Sequence, residues 1–155
     1  MKSLARTISL LLATAVLGLT AGAASAQNTW GPRAGLSANP DQLVLGAHLQ
    51  FPVATNLYLL PNADVAFGDD VFTFSINGDL TYRFASDASI KPYFGGGLSY
   101  FNYDPDGSGS FDELGFGVLL GFWFNSNAAT PFFVQGKVFL DDKLPDFKVM
   151  AGVNL

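Results

Sequence analysis

Apolar and polar residues alternate along residues 70–84, which read DVFTFSINGDLTYRF. Apart from Gly78, the even positions from Phe72 onward carry bulky apolar side chains, and the odd positions from Thr73 onward carry polar ones. Successive side chains of a β-strand point to opposite faces, whereas a helical face repeats every 3.6 residues. The period of two therefore predicts a long β-strand with one apolar face and one polar face.

The same alternation recurs along the rest of the chain, with short polar turns in between. Eight strands are predicted, at residues 29–38, 42–53, 57–67, 70–84, 90–103, 114–124, 131–140 and 146–155. Pro61 lies in the third strand, and because proline has no N–H to donate, we expect a bulge or a broken pairing there. Eight strands with short connections predict an all-β fold, an antiparallel up-and-down barrel, because closure leaves no free sheet edge.

The first residues have the features of an export signal. Lys2 and Arg6 precede an apolar run at residues 8–19, which is followed by Ala24-Ser25-Ala26. A run of about twelve apolar residues is too short to span a bilayer as a helix, and small residues two apart mark a cleavage site. We therefore expect residues 1–26 to be a cleaved signal peptide, with an uncleaved anchor as the alternative, and residues 27–155 to form one barrel domain.

The composition agrees with an exported chain that exposes little surface to water. Charged residues make up 14% of the sequence and there is no cysteine, which excludes disulfides and lipoprotein acylation. The surface of a soluble domain usually carries about 25–35% charged residues. Without Lys2 and Arg6, six basic residues remain against 13 acidic ones, so nucleic acid is not expected as a partner.

The direction of the apolar face decides the environment of the barrel. In a soluble carrier the apolar face lines the inside, whereas in an outer-membrane barrel it faces lipid. The interior of an eight-stranded barrel is only wide enough for side chains, and the polar face here is rich in Gly, Ser, Thr and Asn, which fit such a space. We therefore predict a monomeric transmembrane β-barrel in contact with outer-membrane lipid. The alternative is a soluble periplasmic, lipocalin-like barrel that carries an apolar ligand.

Two sets of residues follow from this arrangement. Charges on the inward face need partners, so we predict an internal network of ion pairs and hydrogen bonds. Its predicted members are Arg33, His48, Asp64, Asp79, Arg83, Lys91, Glu113, Lys137 and Lys148. Aromatic residues at the strand ends predict two interface girdles. One consists of Trp30, Phe51, Phe84, Phe124 and Phe132, and the other of Phe67, Phe72, Tyr100 and Phe147. If the first girdle is periplasmic, the acidic connections all lie outside the cell.

Several segments together resemble the small OmpA-like and OmpX/Ail-like outer-membrane barrels, which belong to the porin-family-like outer-membrane proteins. The resemblance rests on the leader, on residues 78–84 (GDLTYRF), on residues 91–97 (KPYFGGG) and on the alternating C-terminal strand. It implies a cell-envelope protein that the barrel-assembly machinery recognises through its last strand. The family usually ends in Phe or Trp, whereas this chain ends in Leu155.

Residues 104–113 form the longest predicted loop. Asp104, Asp106 and Ser108 have the spacing of the first three ligands of an EF-hand loop, and Asp112 is a further candidate. Because Gly115 replaces the bidentate Glu, we expect at most a weakly bound divalent cation and no other cofactor, with an ordinary acidic surface loop as the alternative. The same loop is the predicted contact for a surface ligand.

His48 is the only histidine of the chain. Its inward position predicts a hydrogen-bonded interior residue, so we expect no catalytic residue and no enzyme. The alternative is a lipid-modifying outer-membrane enzyme in which Ser37 or Ser75 would act with His48. Five glycines of strands five and six are predicted to make room for inward Tyr93, Trp123 or charged side chains. They are Gly95, Gly96, Gly97, Gly115 and Gly117.

Overall fold

The computed structural model describes residues 28–68, 71–85, 88–105, 109–125 and 128–155. The regular structure in these residues consists of eight β-strands. They are β1 (Thr29–Ala38), β2 (Gln42–Ala54), β3 (Leu57–Phe67), β4 (Val71–Arg83), β5 (Lys91–Pro105), β6 (Phe111–Phe124), β7 (Phe132–Phe139) and β8 (Phe147–Val153). Within the described ranges, no apolar helix is long enough to cross a membrane. The predicted signal peptide lies outside them.

The eight strands form one closed barrel. Each strand pairs antiparallel with the next, and β8 pairs with β1 from Arg33 opposite Gly152 to Ala38 opposite Phe147. This confirms the predicted up-and-down topology. We call the end of the barrel that carries Thr29 and Val153 the terminal end, and the opposite end the loop end.

The pairing departs from regularity where the proline was expected to interrupt it. Between β2 and β3 the ladder passes from His48–Asn62 to Phe51–Leu59 without a pair at Pro61, and a register shift follows between Pro52 and Ala54. On its other side Pro61 stands in an unbroken ladder with β4. The broken pairing is confirmed on the β2 side, where the missing N–H of Pro61 matters.

The connection between β5 and β6 is shorter than predicted. β5 continues to Pro105 and β6 begins at Phe111 rather than at residue 114, so only residues 106–110 connect them. The polar composition of residues 104–113 suggested a long loop, but the pairs Asn102–Asp112 and Tyr103–Phe111 extend the ladder.

The apolar face points outward, as predicted. Along β4, Phe72, Ile76 and Leu80 are exposed, whereas Thr73 and Asp79 between them are buried. The same pattern of exposure runs through β6, β7 and β8. This arrangement is the reverse of that in a soluble carrier barrel, and its polarity is that of a barrel surrounded by lipid.

Most of the predicted girdle residues lie on the outer face. The six exposed ones are Trp30, Phe67, Phe72, Phe84, Phe132 and Phe147. Tyr100 and Phe124 are half-buried. Phe124 and Phe132 stack with ring centroids 4.8 Å apart. The exposed position predicted for Phe51 is wrong, because only 8% of it is exposed. Gln50 beside it is also buried, so the alternation of exposure stops at Phe51, just before the register shift.

Apolar side chains fill both ends of the interior, which the sequence analysis did not foresee. At the terminal end a cluster is formed by Tyr93, Leu119, Trp123 and Phe133. At the loop end a second cluster is formed by Phe101, Tyr103, Phe139 and Leu144. Leu144 belongs to the β7–β8 connection, and together with the buried Pro145 it occupies the loop end of the interior.

Candidate functional site

A buried ion-paired triad lies at the middle of the interior. Arg33 of β1 donates from Nε to Asp64 Oδ1 at 2.7 Å and from Nη2 to Asp64 Oδ2 at 2.5 Å. Lys148 of β8 donates to the same Asp64 Oδ2 at 3.3 Å. The side chains of all three residues are buried, so this carboxylate is shared by two cations that have left water.

A second ion pair lies beside the triad. Lys137 of β7 donates to Asp79 Oδ1 of β4 at 2.5 Å and to Ser99 at 2.9 Å. Asn62 joins the two groups, because it donates to Asp79 at 3.1 Å and also accepts a hydrogen bond from Arg33. β7 and β4 are three strands apart in the barrel, as are β8 and β3, so these bonds cross the interior rather than follow its wall.

The strand register brings these polar residues together, and glycines on neighbouring strands leave them space. Asn62 of β3 faces Asn77 of β4. A Cβ atom at Gly46 would lie 2.2 Å from Asp64 Oδ1, and one at Gly97 would lie 2.6 Å from Asp79 Oδ1. An alanine at either glycine would therefore collide with the carboxylate that the adjacent strand provides.

Glycines also accommodate two inward aromatic residues, Tyr93 and Phe133. A Cβ atom at Gly121 would lie 2.4 Å from the Tyr93 ring, and one at Gly152 would lie 2.6 Å from the Phe133 ring. Tyr93 donates to Gln135 at 2.9 Å, so its ring packs in the apolar cluster while its hydroxyl reaches the polar layer.

A third polar group lies at the terminal end. His48 Nε2 and Asn154 Oδ1 are 2.6 Å apart, and Arg83 Nη2 donates to Gln50 Oε1 at 3.1 Å. The two pairs are linked through Asn154, which donates to Gln50 at 3.5 Å. The Phe133 ring packs edge-on against His48 at 5.0 Å between centroids. We call Arg83, Gln50, Asn154 and His48 the terminal-end polar group.

Lys91 and Glu113 were predicted as members of the internal network, but neither is bonded to the two central ion-paired groups. Glu113 lies at the loop end, where Lys143 Nζ approaches its Oε1 at 3.5 Å and is largely exposed. Lys91 is half-buried at the terminal end opposite Trp123, and it makes no ion pair with any described residue. The alternation along a strand predicts whether a residue faces the interior or the outside, but it does not predict the position of that residue along the barrel axis.

The two serines that were considered as partners of His48 are hydrogen-bonded to other groups. The Ser37 hydroxyl donates to the Pro40 carbonyl at 3.1 Å, and the Ser75 hydroxyl accepts from Lys148 at 3.1 Å. Neither serine is hydrogen-bonded to His48, whose Nε2 is engaged by Asn154.

The predicted cation ligands are only partly described. Asp104 and Asp112 are exposed strand residues, and Asp112 accepts a hydrogen bond from Asn102 at 2.6 Å. Asp106 and Ser108 lie outside the described residues. In the part of the chain that the structure describes, no three His, Cys, Asp or Glu residues are placed to hold a metal ion.

Comparisons with known proteins identify the fold. No protein-family model and no curated protein matches the sequence. Among solved structures, the N-terminal β-barrel domain of OprF from Pseudomonas aeruginosa has a TM-score of 0.64 at 15% identity, over 82% of this chain and 92% of that one. Neisserial surface protein A has a TM-score of 0.60 at 17% identity, over 83% of this chain and 92% of that one.

The fold is therefore that of the small outer-membrane β-barrels, in agreement with the resemblance noted in the sequence. The exposed apolar belt and the ion-paired interior independently define the same class, a transmembrane barrel of the outer-membrane type. At these identities the comparisons concern the fold and not the activity.

Proposed function

We propose that the protein is an integral, non-enzymatic, monomeric barrel of the bacterial outer membrane that anchors surface-exposed connections in the cell envelope. The observation that carries this proposal is the belt of exposed Leu, Val, Ile and Phe side chains around a buried network of ion pairs. In water the belt would be an exposed apolar patch far larger than a soluble monomer tolerates. In lipid the same belt is the favourable surface.

The filled interior supports an anchoring role rather than a diffusion pore. The Lys137–Asp79 and Lys148–Asp64 bonds cross the middle of the barrel, and Leu144 with Pro145 fills its loop end. An eight-stranded barrel encloses only enough space for such side chains. A solute would therefore have to displace ion-paired groups to pass.

The loop end carries the features expected of a contact surface. At the loop end, the last pair between β6 and β7 joins Gly117 to Phe139. Residues 111–116 of β6 extend beyond this pair. Phe111 is exposed at the tip of this extension, next to the exposed Asp112. Apolar and acidic groups side by side are suited to a protein or glycan ligand that presents basic groups at the cell surface.

Two measurements test this proposal. The protein is expected to remain in the membrane pellet after a carbonate wash, and release into the supernatant would contradict it. Since the chain has no cysteine, a single Ser110→Cys variant gives one labelling site at the tip. A membrane-impermeant maleimide should label that cysteine on intact cells, whereas labelling only after lysis would contradict the outward orientation of the loop end.

A further inference from the structure

The inward face carries more positive than negative charge. Its cationic residues are Arg33, Arg83, Lys91, Lys137 and Lys148, and its aspartates are Asp64 and Asp79. Both aspartates are engaged by the central cations, and the inward Glu113 pairs with Lys143 at the loop end. The three central cations share two aspartates, which leaves one positive charge in excess there. At the terminal end, Arg83 and Lys91 have no carboxylate partner among the described residues. A charge held inside a barrel needs a partner of the opposite sign.

Two aromatic rings contact the guanidinium of Arg83. Its central carbon lies 4.3 Å from the Tyr58 ring centroid and 4.6 Å from the Trp123 ring centroid. Stacking of this kind holds the guanidinium plane while leaving its N–H groups at the edge. Nη2 donates to Gln50, but Nε is buried and has no hydrogen-bond partner among the described residues.

Two further polar groups at the terminal end lack a partner of their own among the described residues. His48 is 2% exposed, and its Nδ1 has no hydrogen-bond partner among the described residues. Lys91 pairs with Trp123 in the β5–β6 ladder. A second cation is therefore next to the residue whose ring contacts Arg83. Buried polar atoms without partners are rare in folded proteins, and a bound water, ion or ligand can supply the missing hydrogen bond.

We propose that the terminal-end mouth of the barrel is a binding site for a phosphate group, which accepts hydrogen bonds from the Nε edge of Arg83 and is attracted by Lys91. The planar fork of arginine matches the geometry of phosphate oxygens and offers two parallel donors. The phosphate belongs either to a free phosphate ion or to a lipid headgroup at the rim. The site is independent of the surface role proposed above, because it lies at the opposite end of the barrel.

Trp123 provides a reporter within the site. The chain has two tryptophans, so Trp30→Phe leaves Trp123 as the only one. The folded protein in maltoside micelles, which contain no phosphate, is titrated with inorganic phosphate against chloride at constant ionic strength. We expect a saturable change in Trp123 fluorescence.

Three further variants in the Trp30→Phe background locate the site. Arg83→Gln loses charge-assisted hydrogen bonds to phosphate, so its phosphate affinity should be about tenfold weaker. Lys91→Gln, which loses only a neighbouring charge, should weaken affinity by about threefold. Arg83→Lys keeps the charge but loses the fork, so its affinity should fall between the two. Lys143→Gln removes an exposed cation at the opposite end and is the matched control, with unchanged affinity. Circular dichroism is used to check that each variant retains the barrel.

The source of the phosphate is decided by adding phosphatidylglycerol to the micelles. If the lipid competes with inorganic phosphate, or alone changes Trp123 fluorescence in an Arg83-dependent manner, the ligand is a headgroup. If only inorganic phosphate binds, the ligand is the free ion. Absence of both responses in the Trp30→Phe protein overturns the proposal. Asp87 lies between Arg83 and Lys91 in the sequence but outside the described residues. The variant Asp87→Asn is measured in parallel to test whether this carboxylate, rather than phosphate, is their partner. Phosphate binding that appears only in that variant also overturns the proposal.

Discussion

Asp64 accepts hydrogen bonds from two buried cations, Arg33 and Lys148, and it is itself only 2% exposed. Asp64→Asn keeps the size of the side chain but removes the charge, so both cations remain in the interior without their carboxylate. Removing one partner from a buried ion pair typically costs about 3–5 kcal/mol. We therefore expect the free energy of unfolding in urea, measured in lipid vesicles, to fall by about that amount.

The matched control is Glu113→Gln at the loop end, where Lys143 is mostly exposed. An exposed ion pair contributes about 0–1 kcal/mol, so this variant should unfold nearly as the wild type does. A second comparison replaces the whole triad by apolar residues in Arg33→Met/Asp64→Leu/Lys148→Met, which should recover much of the lost stability because no unpaired charge remains. If Asp64→Asn and Glu113→Gln lose the same small amount, the interior is hydrated and the account of a dry network is refuted.

Three other predictions concern the outer face, the glycines and His48. Ile76→Arg places a charge on the lipid side of β4 and should destabilise the folded barrel in vesicles by about 2–4 kcal/mol. Phe72→Arg, near the end of the strand, should cost about 0–1 kcal/mol. Equal costs would contradict the position of the apolar belt in the membrane. Gly121→Ala brings a methyl group against the Tyr93 ring and should cost about 1–3 kcal/mol in urea unfolding, while Gly136→Ala, which meets no atom within 4 Å, should have little effect. His48→Ala should leave the lipid composition of the outer membrane unchanged, and altered acylation of its lipids would support an enzyme instead.

The alternation of residue types was sufficient to predict the strands and the polarity of the barrel. The predicted bounds of β1 and β3 agree with the structure at every residue, since turn residues flank both strands closely. The bounds of β5 and β6 did not agree, because Asp104 and Asp112 have the composition of a loop although they lie in strands. Pairing with the neighbouring strand, which a single sequence does not display, decides such cases.

The side chains that fill the interior were harder to predict than which face of the strands points inward. Phe133 and Phe139 point inward between other large apolar residues, so the sequence around them shows no alternation. Leu144 reaches the interior from a connection rather than from a strand, which no strand pattern can reveal. The sandwich of Arg83 between Tyr58 and Trp123 depends on three strands meeting at one end, and it became visible only with the register.

The two tryptophans allow the most direct test of the inside-out arrangement. Trp30 is 55% exposed on the outer face, and Trp123 is 2% exposed in the interior. In vesicles of lipid brominated on the acyl chains, we expect strong quenching when Trp30 alone remains in Trp123→Phe. We expect weak quenching when Trp123 alone remains in Trp30→Phe. Strong quenching of Trp123 together with weak quenching of Trp30 would contradict an apolar outer face in lipid and a shielded interior.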